Sequence, residues 1–591
     1  MRCKTSLSIT CLVAFTLISG PVQALVTSAT TPTSTITQLT DYASTRGTHA
    51  STAPDISKDG STIVFNSTAD LVPGGNPNNL ENIYIMKSDG SGLRQLTAAI
   101  APTSPVEHTA YYRTTTPPRL SANGKVVVFA SYFDLTGKNP PEYISDPLHY
   151  LPNYQLFIIN SDGTNLRQLT RGTGGHSISP RISNDGSTIV FESTHDLVVG
   201  SNSLVNTRGN HVKQIFVIRA NGTGLTQITN GGPQPTGRNI RDDESRNVSI
   251  SGDGTTVAFD SFNDLLPPKN DDWSNEIFVF DLAKYWSDRA TNIINGLTHY
   301  TVQVTDTDVD APFHIRAEDA FEPSLSYDGK KVTFSGCINP YGEGIKNPDR
   351  TILGDNPFLT DVIFVANSDG SGLLRQLTFS DDPNAYTGTN WRNIDDDAHW
   401  PEISADGSKI VFGSRSRADL AAPKPGSPRL YEIAMIDLKA PLDRNGRPVV
   451  EQITSSPRLG VMQLTFGGTD GARLRPSINA DASLITLRTT SDFTGGNVDK
   501  NSEIFLIKPL VADKTTTDDD TTTAATNDNA TTSVTTQQNS DSTTTETSAV
   551  NNQGSASKAS STTTGGGAFG LIELLFSMGA LGSLILRRRS A

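Results

Sequence analysis

Cysteine, methionine and tryptophan are all scarce in this chain of 591 residues, with 3, 5 and 4 copies respectively. Two of the cysteines, Cys3 and Cys11, sit at the extreme N-terminus, so loss of that segment leaves Cys337 alone. A lone thiol excludes an internal disulfide and a paired-cysteine metal or redox centre, and Cys337 is expected to be a buried strand-end residue. Positive charge is also lacking. The formal net charge is −14, and the only basic run is Arg587, Arg588 and Arg589. A nucleic-acid binder needs a positive stripe to neutralise phosphates, so nucleic acid is excluded as a partner. No Gly-x-Ser-x-Gly elbow, His-Glu-x-x-His helix, phosphate-binding loop or Cys-x-x-Cys pair occurs in the chain. Those absences exclude the common serine-hydrolase, zinc-protease and nucleotide-hydrolysing architectures, and no catalytic residue is assigned. What is abundant is glycine, 49 residues, and proline, 33 residues, in a chain only 35% hydrophobic. That balance fits a large, turn-rich all-β protein.

The two ends read as targeting segments. Arg2 and Lys4 precede an apolar run over 7–19 and the small-residue stretch Val22, Gln23, Ala24. This is the layout of a secretory signal over 1–24, cut after Ala24 by signal peptidase, with a short lead over 25–35. Residues 511–564 are almost wholly Thr, Ser, Asn, Asp, Gln and Ala. Such a segment buries too little apolar surface to offset the entropy of ordering, so it is expected to be a disordered stalk. Gly565, Gly566 and Gly567 follow, then an apolar stretch over 568–586 and the three arginines. At 1.5 Å per residue that stretch spans a hydrocarbon core, with the arginines held in the cytoplasm.

This order over 565–591 resembles the GlyGly-CTERM sorting signal of Gram-negative bacteria. The resemblance implies cleavage near the glycines by a rhombosortase-type protease, followed by display at the cell surface or release. A plain C-terminal anchor is the alternative.

Between these ends one pattern recurs at intervals of roughly 60–80 residues. The first copy reads Pro54, Asp55, Ile56, Ser57, then an Asp59-Gly60 turn and an apolar strand, a second strand from Asn82, a second Asp89-Gly90 turn, and Leu96-Thr97. Alternating apolar residues around Asp-Gly turns predict hairpins, hence four strands, a to d, per copy. The first turn recurs at Asn123-Gly124, Asp185-Gly186, Asp253-Gly254, Asp328-Gly329 and Asp406-Gly407, and in degraded form at Asp481-Ala482. Strand d is expected over 166–170, 225–229, 302–305, 374–378 and 461–465. The last copy ends without a strand d, while a spare one, 36–40, precedes the first copy. The N-terminal strand therefore completes the last blade, closing a seven-bladed β-propeller over 36–510.

These signatures resemble the TolB-like, PD40 ("WD40-like") propeller repeat. The resemblance implies the fold and little about function, because this propeller serves binding proteins, peptidase gating domains and some lyases.

The long loops fall mostly at one end of the ring, between strands b and c and between blades, so that face is the expected recognition surface. The inter-blade loops bring His176, Asp242, Asp243, His314, Asp395, Asp397 and His399 towards the channel mouth, interleaved with arginines. Two readings stand: a solvated rim of ion pairs, or a ligand-binding ring. Asp306, Asp308 and Asp310 have the oxygen spacing that opens many calcium loops, although Ala311 replaces the glycine of an EF-hand; calcium is the one cofactor suggested. Asn497, Asp499, Asn501 and Glu503 repeat that spacing. The recurring Ser-x-x-Asp-Leu after strand b is expected to be a structural turn. The functional expectation is an exported module that binds a protein or glycan. The alternative is a metal-dependent polysaccharide lyase or hydrolase, since oligogalacturonate lyases resemble this fold and bind a metal through channel histidines.

Overall fold

The computed structural model describes residues 34–42, 50–99, 116–136, 154–172, 175–198, 212–230, 244–270, 274–293, 295–306, 319–338, 361–372, 374–378, 398–414, 432–442, 448–452, 475–490 and 492–509. They form seven four-stranded antiparallel sheets. Blade 1 comprises Ser51–Ile56, Thr62–Ser67, Asn82–Lys87 and Arg94–Gln95, and the next five follow the same chain order. Blade 7 uses Ser477–Ile478, Ile485–Thr489 and Glu503–Pro509, and its outer strand is Ser34–Gln38 from the N-terminus, as the spare repeat predicted. One feature of blade 6 corrects the repeat assignment. Its strand d is Val450–Gln452, not 461–465, because 450–454 carries a second Gln-Ile-Thr signature closer to strand c. Segment 461–465 lies outside the described residues. The long excursion after strand c of blade 4 holds a helix, α1 (Leu282–Ala290), capped by the Asp281 side chain on Lys284 N.

The repeat signatures each have a physical role. In the first hairpin Ser57 donates to Asp59 Oδ1 at 2.6 Å and accepts from Thr62 N at 3.0 Å, and Gly60 takes the left-handed φ of +74° that the turn requires. In blade 7 the same position is Ala482, at φ +56°. The closing threonine also has a fixed task. Thr97, Thr170 and Thr229 donate to Asn82, Gln155 and Gln214 at 2.9, 2.8 and 2.6 Å, and each accepts from the next backbone N–H of strand c. Thr40 makes both bonds across the closure, to the Glu503 carboxylate and from Ile504 N.

Strands b and c pair so that their central aromatic residues stack. Phe65–Tyr84, Phe129–Phe157, Phe191–Phe216, Phe259–Phe278 and Phe334–Phe364 have ring centroids 5.5–5.9 Å apart. These rings are fully buried between blades. Cys337 is buried just past strand b of blade 5.

Neighbouring blades are joined around the channel by main-chain hydrogen bonds at the tight-turn face. Asp59 N bonds Ala122 O, Ala122 N bonds Asn184 O, Asn184 N bonds Gly252 O, and Asp253 N bonds Tyr327 O. Tyr327 N bonds Ala405 O, Ala405 N bonds Ala480 O, and Ala480 N bonds Lys58 O, all at 2.7–3.1 Å. The circuit closes on the blade where it began.

Two outcomes test this account. Ala482→Gly removes a side chain from a left-handed position and is expected to raise stability by about 1 kcal/mol in urea unfolding. Burial pushes the Glu503 carboxyl up to about 7. A raised acid contributes stability that is complete below its ordinary value near 4.5 and lost as pH rises through 7. Unfolding midpoints are therefore expected to fall between pH 5 and pH 8, and Glu503→Gln, the residue type of blades 2 and 3, to flatten that slope.

Candidate channel and channel-mouth site

Strand a lines the channel, and its middle is bent. In five blades the register against strand b shifts across the residues flanking the recurring proline position. The residue before that position is left-handed: Ala53, Ser179, Asn247, Glu322 and Trp400, with φ between +52° and +61°. For glutamate and tryptophan this backbone costs about 1–3 kcal/mol, and the bulge re-aims the next side chain into the channel.

The residue after the proline position is the innermost one. Around the ring it is Asp55, Arg119, Arg181, Ser249, Ser324, Glu402 and Ser477, and all seven line one cavity. In four blades its oxygen accepts from the next blade's backbone: Asp55 from Leu120 N, Ser249 from Leu325 N, Ser324 from Ile403 N, and Ser477 from Ile56 N, at 2.8–3.3 Å. The charged members pair with each other. Arg119 reaches Asp55 at 3.0 Å, and Arg181 of blade 3 crosses the channel to Glu402 of blade 6 at 3.5 Å. One layer nearer the long loops, Arg475 of blade 7 spans to Asn247 and to Glu322, both at 3.4 Å. These crossbars span the axis.

Of the residues singled out from sequence, His399 shows the most defined environment. Its Nε2 lies 3.3 Å from Asp361 Oδ2 and its Nδ1 3.7 Å from Glu322 Oε2. Its ring stacks on Phe321 and Trp400, at 5.6 and 5.1 Å. Burial opposes the charge, but hydrogen bonds and field from Asp361 and Glu322 overcome it and raise the imidazole to about 10. His176, on blade 3, is the opposite case: burial and nearby Lys213 push it down to about 4, so it is neutral. Its backbone N donates to Thr194 Oγ1 at 2.9 Å. The two histidines belong to blades three positions apart and share no partner among the contacts above. Asp306 is exposed after strand d of blade 4. Asp242, Asp243, His314, Asp395, Asp397, Asp308 and Asp310 lie outside the described residues, as do Ala24, Gly565, Gly566 and Gly567.

Among the described residues no group of three His, Cys, Asp or Glu side chains is placed to hold a metal ion. Asn497, Asp499, Asn501 and Glu503 are engaged in the turn itself. Asn497 Nδ2 donates to Asn501 O at 2.9 Å, Asn501 Nδ2 to Asp499 Oδ2 at 2.6 Å, and Tyr42 N to Glu503 at 3.2 Å. Asp70 and Asn76 build the same loop in blade 1, where Asp70 accepts from Gly74 N and Asn76 N, both at 2.8 Å. The Asp of Ser-x-x-Asp-Leu is thus a turn cap. No helix among the described residues is long and apolar enough to cross a membrane, and 568–586 lies outside them.

Sequence reasoning missed the innermost ring. The available signal was internal: beside a nearly constant proline, one position varies among Asp, Arg, Ser and Glu from copy to copy.

No family profile matches the chain, and no curated protein is similar in sequence. Solved structures are similar in fold. An oligogalacturonate lyase in complex with manganese is 13% identical, with 80% of this chain and 93% of that chain covered and a TM-score of 0.43. The oligogalacturonate lyase of Vibrio parahaemolyticus is 11% identical over 80% and 97%, with a TM-score of 0.44. TolB from Acinetobacter baumannii is 14% identical over 72% and 76%, with a TM-score of 0.31. At such identities the likeness concerns the propeller fold alone.

The His399 arrangement makes a direct prediction. A raised histidine contributes stability that is complete below its ordinary 6.5 and lost as pH rises through about 10. In NMR titration the His399 ring is expected to show no inflection between pH 6 and 8, and His399→Gln to lower stability at pH 7 by about 2 kcal/mol.

Proposed function

We propose that the chain is an exported cell-envelope module that binds a protein or glycan through the long-loop face of a rigid propeller. The observation that carries this reading is the set of side-chain contacts spanning the channel. Arg475 and the Arg181–Glu402 pair reach across it, so the charges near its centre are engaged with one another. Rigid rings that present loops of differing length are suited to recognition, because the frame fixes loop positions while the loops supply chemistry. Export over 1–24 and a sorting signal over 565–591 would place that face outside the cell, where an extracellular or envelope partner is available.

The alternative, a metal-dependent lyase at the channel mouth, fits the described residues poorly. A metal-ligating imidazole must be neutral with a free nitrogen lone pair, whereas both His399 nitrogens face carboxylates that hold the proton on. His176 is neutral but stands on the other side of the ring. No catalytic step is therefore derived.

Replacing 137–153 and 339–360 with short Gly-Ser linkers tests the reading. The expected result is an unchanged melting temperature with loss of retention on the cell envelope or on an arrayed glycan. Full retention by the trimmed protein would remove the long-loop face as the binding surface.

A further inference from the structure

Below the crossbars, the channel between the innermost ring and the main-chain belt holds a cavity of about 90 Å³. By that measure it has room for several waters or one small ion, not for a sugar chain. Its charges are unevenly placed. Lys58, Arg119 and Arg181 supply three positive groups against the two negative groups Asp55 and Glu402, in a protein whose formal net charge is −14.

The donors occupy one arc. Arg119, Arg181 and Ser249 come from three consecutive blades, 2, 3 and 4. Asp55 has little capacity left for them. Its carboxylate already receives Arg119 at 3.0 Å, Ser477 Oγ at 2.7 Å and Leu120 N at 2.8 Å. The Arg119 side chain is about nine-tenths buried and lines the cavity. Arg181 has its ion pair with Glu402 at 3.5 Å, longer than a good charge-assisted bond, and burial first, then nearby Arg119, disfavours its charge. Ser249 Oγ accepts from Leu325 N, which leaves its own hydrogen to donate. Lys58 is held at the belt by Ile478 O at 3.1 Å.

We propose that this cavity is a binding site for one small tetrahedral oxyanion, of the phosphate or sulfate class, held between Arg119 and Arg181 with Ser249 as a third donor. The two guanidinium groups on adjacent blades disfavour one another's charge, which an anion bound between them would relieve, and each presents a planar fork of N–H groups suited to oxyanions. Donors converging from three blades suit a tetrahedral anion better than a flat monocarboxylate, which engages one fork. A cation would meet the same arginines and be repelled. The site shares Arg181 with the pair that spans the channel but includes none of the long loops, so trimming the loops and replacing Arg181 test the two assignments separately.

The chain itself supplies the test variant. Serine occupies the Arg181 position in blades 4, 5 and 7, where it accepts the next blade's N–H, so Arg181→Ser is expected to fold. The full exported chain, purified in a zwitterionic buffer free of phosphate and sulfate, is titrated calorimetrically with inorganic phosphate and separately with sulfate at fixed ionic strength. Expected is saturable binding of one anion per chain, weakened at least about tenfold in Arg181→Ser and tightened in Glu402→Gln, which removes the competing carboxylate. Arg167→Ser, at an exposed outer strand, is expected to bind as the parent does. Should Arg181→Ser misfold, Glu402→Gln alone decides, because tightening supports the site and no change overturns it. Absence of saturable binding to the parent, or equal affinity in a folded Arg181→Ser protein, overturns the proposal. The two titrations show whether phosphate or sulfate is the preferred anion.

Discussion

Seven main-chain hydrogen bonds, one between each pair of neighbouring blades, run round the tight-turn end of the channel and return to their starting blade. A four-stranded blade cannot bury both of its faces alone, so each depends on its two neighbours. A ring of such blades is stable only when its last member finds the first. Here the belt closes one end of the axis, and the N-terminal strand Ser34–Gln38 closes the outside of blade 7. With the ring closed, the stacked aromatic pairs are sealed between blades and every strand a is held facing the axis. The bulge at the proline position then has a fixed direction, and the innermost side chains converge.

That convergence explains why the channel is charged. Each blade contributes one side chain at the innermost level, and short serines are used where the oxygen is needed to accept a neighbouring N–H. Arginine and carboxylate at the remaining positions reach across the gap to one another. A charge drawn into a narrow channel loses hydration, and pairing across the ring recovers part of that loss. The outcome is a channel whose innermost charges are mostly paired, with Lys58, Arg119 and Arg181 set against Asp55 and Glu402.

Much of this was legible in the chain. The Asp-Gly turns, the closing Leu-Thr and the unpaired first strand gave blade number and closure, because each signature corresponds to a bond that any blade must make. The serine in the turn, the threonine on strand d and the Asp of Ser-x-x-Asp-Leu all proved to be backbone caps. The choice between 450–454 and 461–465 for one strand d was not legible, since both carry the same signature and only pairing with strand c separates them. The channel chemistry was also hidden. Histidines and acids in the inter-blade loops attract attention in a sequence, whereas Asp55, Arg119, Arg181 and Glu402 look like ordinary strand residues. For Asp55, Arg181 and Glu402 it is the bulge, a backbone feature with no fixed residue type, that turns them inward. His399 was visible as a candidate, but its partners were not: only the fold brings the Asp361 and Glu322 carboxylates to its two ring nitrogens.

Centrally, His399 is held between the Asp361 and Glu322 carboxylates instead of serving a transition metal. Metal analysis by inductively coupled plasma mass spectrometry, on the chain purified without chelator and again after EDTA, tests it most directly. The account predicts no stoichiometric transition metal before or after treatment. A stoichiometric transition metal that disappears in His399→Gln would contradict it, because His399 would then be a neutral ligand and the channel mouth a metal centre.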